Sequence, residues 1–156
     1  MSEVAIRGAD LGDPAQASAL VEILDAYARE PNGQSAPLPG EARANLAAGL
    51  LAHPTAFVLL AYDGARAVGA AVCFEGFSTF AGKPLVNLHD LAVLPSHRGR
   101  GIGSLLLAEV ERHARERGAC KVTLEVRDTN HGAKRLYEAT GFGPWRGHTL
   151  FVSKRI

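Results

Sequence analysis

Residues 84–104 read P-L-V-N-L-H-D-L-A-V-L-P-S-H-R-G-R-G-I-G-S, and no other stretch restricts the fold as tightly. An apolar run with strand character stops at Pro95, passes glycines at 99, 101 and 103, and enters the helical spacing Ile102, Leu105, Leu106, Val110. A strand feeding a helix in this way belongs to an α/β layer arrangement. Glycines let the backbone approach a ligand closely. The unpaired N–H groups of a first helical turn then point at it, and the helix dipole favours negative charge there. That geometry cradles phosphate. Two phosphate motifs are excluded by spacing: Gly103 is followed by Ser104 and Leu105 with no Lys, and Leu106 stands where a G-x-G-x-x-G fingerprint needs its third glycine.

The remaining elements follow from periodicity. Val4 and Ile6 mark a short strand, and Asp13-Pro14 supplies an N-cap and first-turn proline for a helix whose buried face is Leu20, Ile23, Leu24 and Tyr27. The Pro-, Gly-, Asn- and Ser-rich run 30–40 is a loop, and a second helix is expected over Glu41–Ala52. Thr55–Tyr62 and Ala67–Phe77 read as strands joined at Asp63-Gly64, and Leu85–Leu94 is a third strand. A helix from Ile102 to near Gly118, a strand over Lys121–Arg127, a helix through Ala133, Leu136, Tyr137 and Thr140, and a last strand over Thr149–Lys154 complete the order, with a short strand allowed at Phe142–Arg146. Residues 1–156 are expected to form a single α/β domain with a mixed sheet, having hairpins early and a crossover helix late.

The chain's formal charge of +1 argues against a general nucleic-acid binder. The balance hides a split: five basic and ten acidic side chains in residues 1–95, twelve and six thereafter. Cys73 and Cys120 lack metal-ligand spacing and are expected to be buried free thiols in a reducing compartment. No run approaches the ~18 apolar residues of a membrane span, and the chain is expected to be soluble and cytoplasmic. His53, His97, His113, His131 and His148 show no metal-binding spacing, so no metal is expected.

Arg98-x-x-Gly101-x-Gly103 directly after a strand resembles the signature R/Q-x-x-G-x-G/A of the GNAT superfamily of N-acetyltransferases. The resemblance continues through Glu125-Val126-Arg127, Asn130, Ala133, Tyr137 and Gly141-Phe142, and spans about residues 66–152. It implies a mostly antiparallel central sheet, splayed at the cofactor site and flanked by helices. It implies acetyl-CoA as acyl donor, its pyrophosphate held by N–H groups from Gly99, Arg100, Gly101, Ile102, Gly103 and Ser104, with Arg98 alongside. Leu91, Ala92 and Val93 would pair with the pantetheine arm as an added strand. Asn130 is either a helix N-cap or a contact to the CoA arm as well, with Ala133 beside it. Tyr137 is either a core tyrosine or, by the resemblance, the proton donor to the departing thiolate.

The implied reaction is direct acetyl transfer to a primary amine, which with a pKa near ~10.4 must lose a proton before attack. His89 and Asp90 are the candidate groups: an imidazole suits a base, and a carboxylate orients the ammonium. The polar pair interrupts the alternation of Val86–Val93 where the family places a bulge. Phe77–Pro84 and the following L-x-D-L-x-V are loosely similar to diamine and polyamine acetyltransferases, which carry L-E-D where this chain has Leu88-His89-Asp90. Glu75 is the residue that would restore the lost carboxylate to the acceptor site. The acceptor expected is a small-molecule amine, with a protein N-terminus or lysine, or a non-catalytic acyl-CoA sensor, as the alternatives. Homodimerisation, common in the family, would use the apolar segment around Phe151.

Overall fold

A computed structural model describes residues 3–143, 145 and 150–156. The order is β1 (Val4–Gly8), α1 (Pro14–Ala28), α2 (Gly40–Ala52), β2 (Ala56–Asp63), β3 (Arg66–Ser78), β4 (Lys83–Val93), a 3-10 turn (Pro95–His97), α3 (Ile102–Glu116), β5 (Val122–Leu124) and α4 (His131–Ala139). The strands lie side by side in chain order, β1 to β4 antiparallel and β5 parallel to β4. This is the mixed, mostly antiparallel sheet expected, with α3 as the crossover.

Strand alternation sends successive apolar residues to opposite faces. Leu59, Ala61, Cys73, Val86 and Leu88 pack with Ile102, Leu106, Val110 and Tyr137 on one face. Val58, Leu60, Ala70, Val72 and Ala92 pack with Leu20, Ile23 and Leu24 of α1 on the other. Each fully buried Leu or Ile contributes about 1.5–3 kcal/mol. Helix α1 starts where expected: Asp13 accepts the Ala15 N–H at 2.9 Å with Pro14 in the first turn. Helix α2 buries no residue fully and leans on the α1 side through half-buried Leu46 and Leu50.

Two features open the sheet at one place. Val72 pairs with Asp90 but Cys73 pairs with Leu88, so His89 is an extra residue in β4 and the expected bulge is present. Strand β5 runs alongside only Val86, Asn87 and Leu88, ending at Leu124 instead of Arg127. Beyond the bulge β4 turns away, so residues 125–127 have no ladder to join. The expected strand at Phe142–Arg146 is absent from its described members Phe142, Gly143 and Trp145, while Pro144 and Arg146 fall outside the described residues. For the expected Thr149–Lys154 strand, Thr149 falls outside them and Leu150–Lys154 are in neither helix nor strand. Cys73 is buried, but Cys120 is exposed, because it lies in the connection between α3 and β5. Among the described residues no helix is long and apolar enough to cross a membrane.

The glycines of the 99–103 turn serve two purposes. Gly99 and Gly101 take positive φ (73° and 77°) with open space around them. Gly103 instead permits contact between helices, since a Cβ there would lie 2.9 Å from Leu136 Cδ2 on α4. Gly103→Ala should push the end of the Leu136 side chain aside; because that end can rotate and alanine favours the helix, stability should change by no more than about 1 kcal/mol, read from the denaturant midpoint at unchanged m-value.

Candidate active site

The split between β4 and β5 exposes backbone that a continuous sheet would bury. Leu94 N–H donates to Val68 O at 2.8 Å, so by alternation Ala92 turns its peptide groups to β3. Leu91 and Val93 turn theirs to the side that β5 has left. Ala92 thus contributes wall, not hydrogen bonds, to the cleft. Helix α3 begins beside it. Its own ladder starts with Leu105 N–H to Gly101 O at 3.1 Å, which leaves the N–H groups of 102–104 without an intrahelical acceptor. Gly99, Gly101, Ile102, Gly103 and Ser104 line a cleft of about 790 Å³ with Leu91, Ala92 and Val93. Its far wall carries Asn130, Ala133, Arg135 and Tyr137. A row of free donors at a helix N-terminus, next to strand backbone that has no neighbouring strand on that side, suits a diphosphate with an amide-bearing arm.

A second cavity of about 690 Å³ lies on the α1–α2 side and holds His89, Asp90, Glu125, Arg127, Gly33, Gln34 and Leu38. Both cavities are lined by Tyr27, Asn32, Leu91, Asn130, Ala133 and Tyr137, so they meet at Tyr137. The bulge makes this second cavity polar. Asp90, opposite Val72, shares the α1 face, and the added residue His89 packs edge-on to Phe74 of that same face at 5.4 Å. Neighbouring residues in a regular strand would point to opposite sides.

Burial pushes the Asp90 carboxyl above the ordinary carboxylate value, with His89 opposing the shift. Tyr27 is raised by burial and then by the Asp90 charge. Burial pushes Tyr137 up to about 12, with Tyr27 adding to it, so its phenol is protonated across the physiological range. Among the described residues the Tyr137 hydroxyl has no hydrogen-bond partner, while its ring is only 7% exposed. Asn130 is the N-cap of α4, accepting the Ala133 N–H at 3.1 Å, and it also lines both cavities.

Two expected site residues lie elsewhere. Glu75 pairs with Val86 and shares its face of the sheet, reaching Arg117 at 3.5 Å beyond the end of α3. It cannot restore a carboxylate to the cavity holding Asp90, because strand alternation puts it behind the sheet. Arg100 is held by Asp63 at 2.8 Å beside the β2–β3 turn and does not line the cleft. Arg98 lines it, but its guanidinium is bonded to Glu30 and to Val93 O. Tyr27, Glu30, Asn32 and Arg135 were not singled out from the sequence. Tyr27 reads there as the last member of α1's apolar stripe, and its hydroxyl next to a polar loop is the one signal available.

A model described as the acetyltransferase (GNAT) family matches residues 17–142. The chain is 33% identical over 126 residues to the uncharacterized N-acetyltransferase YhfO of Bacillus subtilis (strain 168), across 81% of this chain and 83% of that one. It is 36% identical over 79 residues to thialysine N-epsilon-acetyltransferase of Bos taurus, across 51% of this chain and 46% of that one. The solved structure of aminoglycoside N-acetyltransferase AAC(6')-Iy in complex with CoA superposes with a TM-score of 0.79 at 21% identity, over 100% of this chain and 97% of that one, a likeness of fold. The chain belongs to the acetyltransferase (GNAT) family. Its activity is accordingly that of an acetyl-CoA-dependent N-acetyltransferase.

Asp90 binds a proton more tightly in the folded protein than in the unfolded chain. Its contribution to stability is therefore greatest below the unfolded value and is lost as pH rises through the raised one. Asp90→Asn should unfold at a higher temperature than the native protein at pH 7, with the difference shrinking as pH falls toward 4, measured by thermal unfolding across that series.

Proposed function

We propose that the protein transfers the acetyl group of acetyl-CoA directly to a primary amine of a small-molecule acceptor. The observation that carries this reading is the junction of two cavities at Tyr137, one bordered by free helix and strand donors, the other holding the half-buried Asp90 carboxyl group. When bound, acetyl-CoA supplies an acetyl thioester. On this reading the N–H groups of Ile102, Gly103 and Ser104 would hold the pyrophosphate, flanked by Gly99, Gly101 and Arg98. Leu91 and Val93 would hold the pantetheine arm.

On the acceptor side Asp90 attracts and orients the ammonium. The raised carboxyl is also a better proton acceptor than an exposed aspartate, and the exposed imidazole of His89 gives the proton a way to water. Tyr137 stands where the leaving thiolate needs a proton. A phenol near 12 is a poor acid toward a thiolate in water, where a thiol titrates at about 8.5. Burial acts on a thiol in the same direction, as at Cys73 of this interior, and so narrows that mismatch. The name of one relative, thialysine N-epsilon-acetyltransferase, supports a small amine as acceptor, while a ribosomal-protein-alanine N-acetyltransferase from Brucella melitensis shares the fold and makes a peptide the necessary competitor in the test.

The test is turnover with 1,4-diaminobutane, spermidine, L-lysine, glucosamine and an alanine-initiated hexapeptide, following free CoA thiol. Acetylation of a small amine in preference to the peptide is expected, and preference for the peptide would overturn the small-molecule assignment. Tyr137→Phe should lower kcat by about 10²-fold or more while the KM for acetyl-CoA changes little.

A further inference from the structure

The loop between α1 and α2 is fastened from both sides of the sheet's split. We propose that Glu30 is a positioning residue: by gripping Arg98 it straps residues 30–38 across the gap between β4 and β5, and so holds the acceptor cavity in shape from the cofactor side. This rests on the acetyltransferase reading for what the two cavities bind, but the strap itself is a matter of geometry.

Arg98 Nε donates to Val93 O at 2.9 Å, and its two terminal nitrogens meet the two Glu30 oxygens at 2.9 and 2.5 Å. All three nitrogens are engaged, which makes the contact directional as well as electrostatic. One end of the guanidinium holds the end of β4 and the other holds the start of the loop. On the far side of the gap, Arg127, just past β5, donates to Gly33 O at 2.8 Å. Two cations, one following each of the parted strands, thus grip one loop, bridging the place where the sheet has no ladder.

Between these anchors the loop sits directly on the end of α1. A Cβ at Gly33 would lie 2.2 Å from Tyr27 O, Tyr27 Oη donates to Asn32 O at 3.2 Å, and Asp25 accepts the Leu38 N–H at 2.9 Å. Glu30 and Arg98 line the cofactor cleft, Gly33, Gln34 and Leu38 line the acceptor cavity, and Asn32 lines both. The anchor on one site is therefore three residues from the wall of the other. The pair's side chains are 45% and 25% exposed, so it adds little to global stability, and its effect is on where the loop lies.

Glu30→Gln keeps the size and removes the charge. For whichever amine of the panel turns over fastest, its KM should rise about tenfold, and by a larger factor than the KM for acetyl-CoA changes. The double variant with Arg98→Gln should be no worse in acceptor KM than Arg98→Gln alone. In the CoA complex, amide exchange at residues 33–36 should quicken about tenfold, with residues 102–104 unchanged. Unchanged acceptor KM and exchange would overturn the proposal. So would an effect confined to the KM for acetyl-CoA, which would mean that Glu30 acts only through the charge of the cofactor cleft. If the native enzyme binds CoA but acetylates nothing in the panel, the acceptor assignment has failed, and exchange alone decides the strap.

Discussion

Strands β4 and β5 hydrogen-bond for three residues and then part, and almost everything functional in this protein is attached to that parting. A sheet that stayed paired would consume the peptide groups of Leu91 and Val93 and leave nowhere for an extended ligand to add itself. The bulge at His89 bends β4 at the same level, because an added residue breaks the ladder and increases local twist. Tyr137 and Asn130 line the opening on one side, and the loop gripped by Arg98 and Arg127 lies across it on the other.

The bulge has a chemical consequence as well. It turns two consecutive polar residues toward one cavity, so that a carboxyl and an imidazole share a face otherwise made of Val58, Leu60, Val72 and Ala92. Holding Asp90 there destabilises its charged form, which is the condition under which it binds a cationic amine most strongly and gives up its own hydration most readily. Tyr137 and Tyr27 respond to the same dryness, and both remain protonated next to it. Stability is thus sacrificed at the site where the acceptor is to be held.

Much of the fold was legible because its signals are local. The caps at Asp13 and Asn130, the Asp63-Gly64 turn, the glycine-rich turn and the helical spacing of α1 and α3 each depend on residues a few positions apart. The bulge was expected from the resemblance, and the break in alternation at His89-Asp90 agreed with it without showing it. What was not legible depends on partners distant in sequence. Arg100 looks as available as Arg98, yet Asp63, from another turn, holds it away from the cleft. Arg98 itself meets Glu30, 68 positions earlier. Glu75 and Asp90 look equally suited to a cation, and the bulge between their strands' registers sets them on opposite faces. The length of β5 likewise depends on where β4 bends, a fact absent from residues 121–127.

By itself the sequence determined a class and a chemistry: an α/β domain with a glycine-rich helix start, a signature for acetyl-CoA, and a tyrosine and an Asp–His pair as candidate groups. These follow from backbone preferences and motif spacing, which are properties of neighbouring residues. Only the tertiary structure decided which of those groups share a cavity, which cations remain on it, and which loop closes it. Facing, burial and ion pairing are set by the register between strands and by contacts across tens of residues, and no local pattern encodes them.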